Sequence, residues 1–298
     1  MNTNSYIKGF LSSGSSYWDR FWFTPFPERL SSIFRIVHGG ALLAFLLAWW
    51  KNGSEWLSTA GFHTPNELTP PLDPSLLPIF GVFQFGLLIL FIAGWQVRVM
   101  AGLSWLCFLY VTLVDRVSAY SINSIFLFSL AVFTLFPTKS KNASIPIAPV
   151  RLLQLAMVAI YFSSGWHKAV FGDWLDSPHV LEASIQGIYM TDFAAWALRT
   201  MPAFVWPITQ YAVLAFELFS PVLFFSRQLR IYGIIAGCVF HLGIALFMDQ
   251  LIYFSLQMMS FYILFLPQEI WKNLRASCAF QGSPSMILAK ITKRSALL

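Results

Sequence analysis

Residues 161–174 read YFSSGWHKAVFGDW, the stretch of the chain richest in groups able to do chemistry. Lys168 closes an apolar run there, beside His167, with Asp173 and Trp174 close behind. An amine partly withdrawn from water can act as a base or polarise a nearby oxygen. The plain alternative is an interfacial lysine flanked by tryptophans, anchoring a helix end. Gly165 and Gly172 would let the chain turn back at this point.

Two further ionisable groups sit in apolar runs. Glu217 lies in FELFSPVLFF and His241 in CVFHLGIALFM. At about 1.5 Å of rise per residue, Glu217 is about 12 Å from the cytoplasmic end of its segment and His241 about 15 Å. A short turn through Arg227 and Arg230 joins the two segments, so they should be antiparallel neighbours at similar depth. A hydrogen-bonded Glu217–His241 pair can handle protons or touch a quinone; it can equally be a polar lock between two helices. Arg35 and His38, in SIFRIVHGG, enter the first apolar segment, where Arg35 is shallow enough to snorkel to the surface.

Other chemistries find no support. There is no GxGxxG or GxxxxGK[ST] loop, no HExxH and no GxSxG. The five histidines are scattered, which argues against a metal site, and nothing indicates a nucleic-acid partner. Cys107 and Cys238 sit in apolar runs, where thiols usually only pack.

The elements that must position these groups follow from composition. The chain has 298 residues, of which 57% are hydrophobic and 11% charged, with 30 Phe and 12 Trp. Soluble domains carry about 25% charge, so this is a polytopic membrane protein. Eight apolar segments are candidate spans: 33–50, 79–97, 99–114, 122–136, 152–166, 204–225, 231–248 and 251–266. Three of them (99–114, 122–136 and 152–166) are short and must extend into flanking residues. With the N-terminus cytoplasmic, only Lys51, Arg116, Lys168 and Arg199 of the 19 basic residues fall outside, and Arg35 lies within the first span. Basic residues concentrate on the cytoplasmic side, so the count favours eight helices with N- and C-termini cytoplasmic. The expected organisation is a cytoplasmic segment 1–32, a transmembrane domain 33–266 and a basic cytoplasmic tail 267–298 resting on anionic lipid. Residues 180–200 read as an amphipathic helix on the outer surface.

Three blocks carry a resemblance along nearly the whole chain. WDRFWFTPFPERLSSIFRIVHGG, YFSSGWHKAVFGDW, and FELFSPVLFF followed by CVFHLGIALFM resemble the HTTM family. Its members are related to the membrane part of vitamin K-dependent gamma-carboxylase. The most specific element is G-x-x-K-x-x-x-x-x-W, here Gly165, Lys168 and Trp174.

The resemblance implies an all-α integral membrane protein, in a bacterial cytoplasmic membrane, with a quinol-dependent site facing outward. In the carboxylase, the lysine of the matching block takes part in oxygenating reduced vitamin K, and the strong base so formed deprotonates substrate glutamate. That lysine corresponds to Lys168, with His167 beside it adjusting its readiness to hold a proton. Glu217, His241 and Trp174 would line the pocket of a reduced, vitamin K-like quinone. One tension accompanies this: Lys168 is expected at the outer surface and His241 about 10 Å below it. The two share one cavity only if residues 167–172 dip into the bundle.

Two departures from the carboxylase stand out. Its histidine after an acidic–basic pair is absent from VDRVSAYSINSIF, where Asp115 and Arg116 are followed by Asn123. The chain is also expected to lack the large extracytoplasmic region that holds a protein substrate. Two readings follow. One is a membrane module binding a quinone, a lipid or a partner protein or peptide. The other is a carboxylase-like enzyme oxygenating a reduced quinone at Lys168. A transporter would show repeats between residues 1–150 and 151–298, and none is evident.

Overall fold

The structure, a computed structural model, describes residues 17–61, 69–114, 120–137 and 144–267. The pair Asp115 and Arg116 and the basic tail from residue 268 onward lie outside the described residues. The chain divides into a unit Met1–Leu264 and a second, Phe265–Leu298; the architecture below is that of the first.

After a helix over residues 17–23, a three-residue strand β1 (Pro25–Pro27) leads into helix α1 (Glu28–Trp50) and a short α2 (Gly53–Leu57). Then come α3 (Leu77–Ala93), α4 (Val97–Val114) and α5 (Ser121–Phe133). Strand β2 (Ser144–Pro146) pairs antiparallel with β1, and it precedes α6 (Ala148–Phe171). Two short helices follow, α7 (Val180–Ile185) and α8 (Asp192–Thr200), before α9 (Val205–Phe225), α10 (Arg230–Phe247) and α11 (Ile252–Phe261). Each of the eight apolar segments is therefore helical.

Five of the described helices are long and apolar enough to cross a membrane: Glu28–Trp50, Pro74–Ala93, Val97–Val114, Val205–Phe225 and Arg230–Phe247. Helix α6 is long enough at 24 residues, but Arg151, Gln154, Ser163, Ser164, His167 and Lys168 dilute its hydropathy. Helices α5 and Ile252–Phe265 are apolar but shorter.

The helices close into a ring, α1–α3–α4–α5–α6–α9–α10–α11 and back to α1, with α6 also touching α11. Its centre is aromatic: Phe34, Phe91, Phe108, Phe126, Phe133, Phe224 and Phe261 are fully buried. Polarity runs opposite to that of a water-soluble bundle. Gln84, Gln154, Gln210, Gln257, Glu217, His38 and His241 are buried, whereas Ile79, Val82, Ile235, Val239 and Leu246 lie on the outside. That inversion is what a hydrocarbon solvent selects, because apolar side chains face lipid at no cost while polar ones must find partners inside.

Arg35 departs from the snorkelling expectation. It is buried, and its guanidinium donates to the Phe91 carbonyl at 2.6 Å. The Phe91 carbonyl, at the end of α3, accepts from the capping Gly94 N–H as well, and the arginine of neighbouring α1 takes its second lone pair. Gly94, with φ of 89°, lets the chain pass close to that guanidinium.

The segment 180–200, expected on the outer surface as one helix, also differs. It breaks into α7 and α8, and Thr191 starts the second by accepting from Ala194 N. Ala194 and Ala197 pack with Ile185 and Trp206, leaving Phe193 and Trp196 outside.

Candidate functional site

Helix α6 does not end where the apolar run does. It continues to Phe171, so Gly165 is mid-helix and makes no turn. Tyr161, Ser164, Gly165 and Lys168 then share one face by the i, i+3, i+4, i+7 rule. Gly165 serves close approach instead: a Cβ there would lie 2.8 Å from the Cβ of Glu217 and 3.0 Å from Leu218 N. This brings α6 and α9 together at the level of Glu217.

Across that contact, Lys168 Nζ donates to both carboxylate oxygens of Glu217, at 2.6 and 2.7 Å. Ser164 Oγ donates to Oε1 at 3.2 Å. The carboxylate is buried (3% exposed) while the lysine keeps 26%, so the pair has a sealed end and an open one. A buried carboxylate needs such a partner, since an unpaired charge there is very costly. Lys168 Nζ also stands 4.7 Å from the centroid of the Trp174 ring. A cation over an indole face gains electrostatic attraction without needing a donor or acceptor.

The turn that folds Trp174 under the ammonium is made by Asp173, whose φ is 56°. Asp tolerates this left-handed conformation better than most residues. Its carbonyl accepts from Asp176 N and Ser177 N. The turn is then pinned from α9 by Gln210, fully buried, which donates to the carbonyls of Trp174 and Ser177 at 2.8 and 2.7 Å. Gln210 also accepts from Leu181 N, at 2.9 Å. The sequence reading missed Gln210, although it stands two helical turns before Glu217 on the same face.

His241 is not the partner of Glu217. Its Nε2 lies 2.6 Å from the Tyr161 hydroxyl, which in turn lies 2.6 Å from the Tyr262 hydroxyl. The expectation of similar depth does not settle which partner each side chain meets on the neighbouring helices. Glu217 faces α6, where a lysine can reach it, and His241 faces the two tyrosines. The result is two polar clusters along α6, about 10 Å apart by the rise from Tyr161 to Lys168. Gly237 makes room for Tyr262, whose ring occupies the space a Cβ would take. His167 points elsewhere: it is exposed, with its ring 5.5 Å from that of Phe171. The structure therefore unites Lys168, Glu217 and Trp174, and keeps His241 and His167 apart from them.

Among the described residues, no group of three or more His, Cys, Asp or Glu gathers as metal ligands would. An inverted-polarity helical ring with an ion pair walled in between two helices defines an integral membrane protein whose polar site lies inside the bundle. More specifically, the HTTM domain model matches residues 29–271, and the chain belongs to the HTTM family. No curated protein and no solved structure matches it.

Proposed function

We propose that this HTTM protein is a binding module with eight spans and both termini on the cytoplasmic side. Its Lys168–Glu217 site opens toward the outer face, in the cytoplasmic membrane of a bacterium. The orientation is supported by basic residues that cluster with one set of helix ends. Arg98 Nε donates to Thr134 O and Arg151 Nε to Phe21 O, tying together connections expected to be cytoplasmic.

The ligand best suited to the site is a quinone head group. The carrying observation is the bidentate pair: Glu217 occupies two of the ammonium's hydrogens, and the third remains to donate to a carbonyl oxygen. Trp174, whose ring stands 4.7 Å from the ammonium, and exposed Phe171, one turn beyond Lys168, offer apolar surface for the ring system. A lipid or a peptide carrying a carbonyl oxygen meets the same donor.

A second reading, oxygenation of a reduced quinone, is favoured by one feature. The carboxylate lies near enough to take a proton from Lys168, leaving a neutral amine able to act as base. The two readings separate in lipid nanodiscs. Menadione should bind the wild type and Arg199→Ala alike and bind Lys168→Ala at least about tenfold more weakly. Oxygen-dependent epoxide formation from vitamin K hydroquinone, lost in Lys168→Ala, would establish the enzyme. Menadione affinity unaffected by Lys168→Ala would remove the site from either role.

A further inference from the structure

Arg151 stands in the first turn of α6, at the end of the bundle where β1 pairs with β2. Ile147 N donates to the Thr24 carbonyl beside that ribbon, which carries the short helix 17–23 against the start of α6. Two aromatic rings seat the arginine. Its Cζ lies 4.6 Å from the ring centroid of Phe21 and 5.9 Å from that of Phe225, and the two centroids are 6.3 Å apart. A guanidinium packed on ring faces keeps its donors free to bond in its own plane.

Only some of those donors are used. Nε donates to the Phe21 carbonyl at 3.2 Å, and Nη1 to Gln154 Oε1 at 2.7 Å. The remaining nitrogen, Nη2, makes no hydrogen bond among the described residues and is not sealed from the outside. Arg151 forms no ion pair among them either.

A second guanidinium is held at the same corner. Arg230, the first residue of α10, donates from Nε to the Phe224 carbonyl at 3.0 Å, next to the Phe225 ring that packs on Arg151. The charge of Arg230 is felt at Arg151 and opposes it. Two cations about one corner of a helix bundle raise each other's energy, and an anion between them reverses the sign.

The surroundings say which anion. Tyr17, Trp18 and Phe23 on the short helix are exposed at 71%, 63% and 67%. Aromatic side chains in that number suit the boundary between hydrocarbon and water, where lipid head groups lie. On the face proposed as cytoplasmic, the anion concentrated at that boundary is the phosphodiester of acidic phospholipid. A guanidinium fork matches two of its oxygens.

We infer that Arg151 and Arg230 together bind the phosphate of an anionic phospholipid, with helix 17–23 alongside at head-group depth. Lys168 stands near the opposite end of α6, so the two sites succeed or fail separately. Full-length protein in detergent is titrated with phosphatidylglycerol and with phosphatidylcholine, and bound lipid is counted by native mass spectrometry. Wild type should bind phosphatidylglycerol about tenfold more tightly than phosphatidylcholine, whose choline neutralises its own phosphate.

Arg151→Lys keeps the charge without the fork, and Arg230→Gln leaves both hydrogen bonds of Arg151 in place. Each should weaken phosphatidylglycerol binding about tenfold, while Arg199→Gln on α8 leaves it unchanged. Arg230→Gln carries the test should Arg151→Lys fail to fold. Both lipids bound alike, or phosphatidylglycerol bound equally by wild type and the folded variants, overturns the inference. So does inorganic phosphate that displaces the lipid at equal concentration, which would mean a soluble anion.

Discussion

Lys168 Nζ and the Glu217 carboxylate meet at 2.6 and 2.7 Å although 49 residues separate them, because Gly165 lets α6 and α9 close on one another at that level. Each member answers a problem posed by the other. The carboxylate is too deep to stand alone, and the lysine is held within reach of a ligand without having to find solvent.

Replacing Glu217 by Gln should lower stability and leave Lys168 without its counter-ion. Breaking a fully buried pair costs roughly 3–5 kcal/mol. Because Lys168 keeps 26% exposure, the loss here should be smaller, about 1–3 kcal/mol. Thermal unfolding in detergent measures it, and a variant as stable as wild type would mean that the pair is solvent-screened.

Gly165→Ala should disrupt the site without touching any charged group. The new methyl meets Glu217 Cβ and Leu218 N, so the helices must separate at a cost of about 1–3 kcal/mol. A cysteine cross-link between Ser164 and Leu218 positions should form more slowly in the Gly165→Ala background. An unchanged rate would show that α9 moves aside freely.

Gln210→Leu should release the turn that carries Trp174. Leu is close in size, so packing is kept while the Trp174 and Ser177 carbonyls lose their donor. Hydrogen exchange over residues 172–181 should rise about tenfold, with the helices of the bundle unaffected. Equal protection would assign the turn's order to other contacts.

Tyr161→Phe should cut the link between His241 and Tyr262. Each then keeps a buried polar atom unpaired, at a cost of about 1–3 kcal/mol. Menadione affinity should stay near wild type if the Tyr161 cluster is separate from the Lys168 site, and fall if one cavity joins them.

Much of this was legible beforehand, and the omissions share a physical origin. Hydropathy located every apolar helix, since a span is a property of about 20 consecutive residues. Lys168 and Glu217 stood out in the sequence because charge in an apolar run is costly wherever it occurs, and Trp174 by its place in the block that carries the resemblance. What linear pattern does not carry is helix rotation. Glu217 was paired with His241 on depth, while both in fact reach α6, Glu217 at Lys168 and His241 at Tyr161, two turns apart. Gln210 went unnoticed for another reason: only ionisable groups stood out in the apolar runs, and a neutral amide carries no charge, yet it pins three backbone groups.

The central claim, that Lys168 and Glu217 act as one unit in holding a carbonyl-bearing ligand, is tested most directly by a double-mutant cycle on menadione binding. The variants are Lys168→Met, Glu217→Gln and the two combined, in nanodiscs and at matched folding. Each single change should weaken binding about tenfold, and the double variant should bind no worse than the weaker single, a coupling of about 1–2 kcal/mol. Losses that simply add, or a Lys168→Met protein that binds like wild type, would contradict the account.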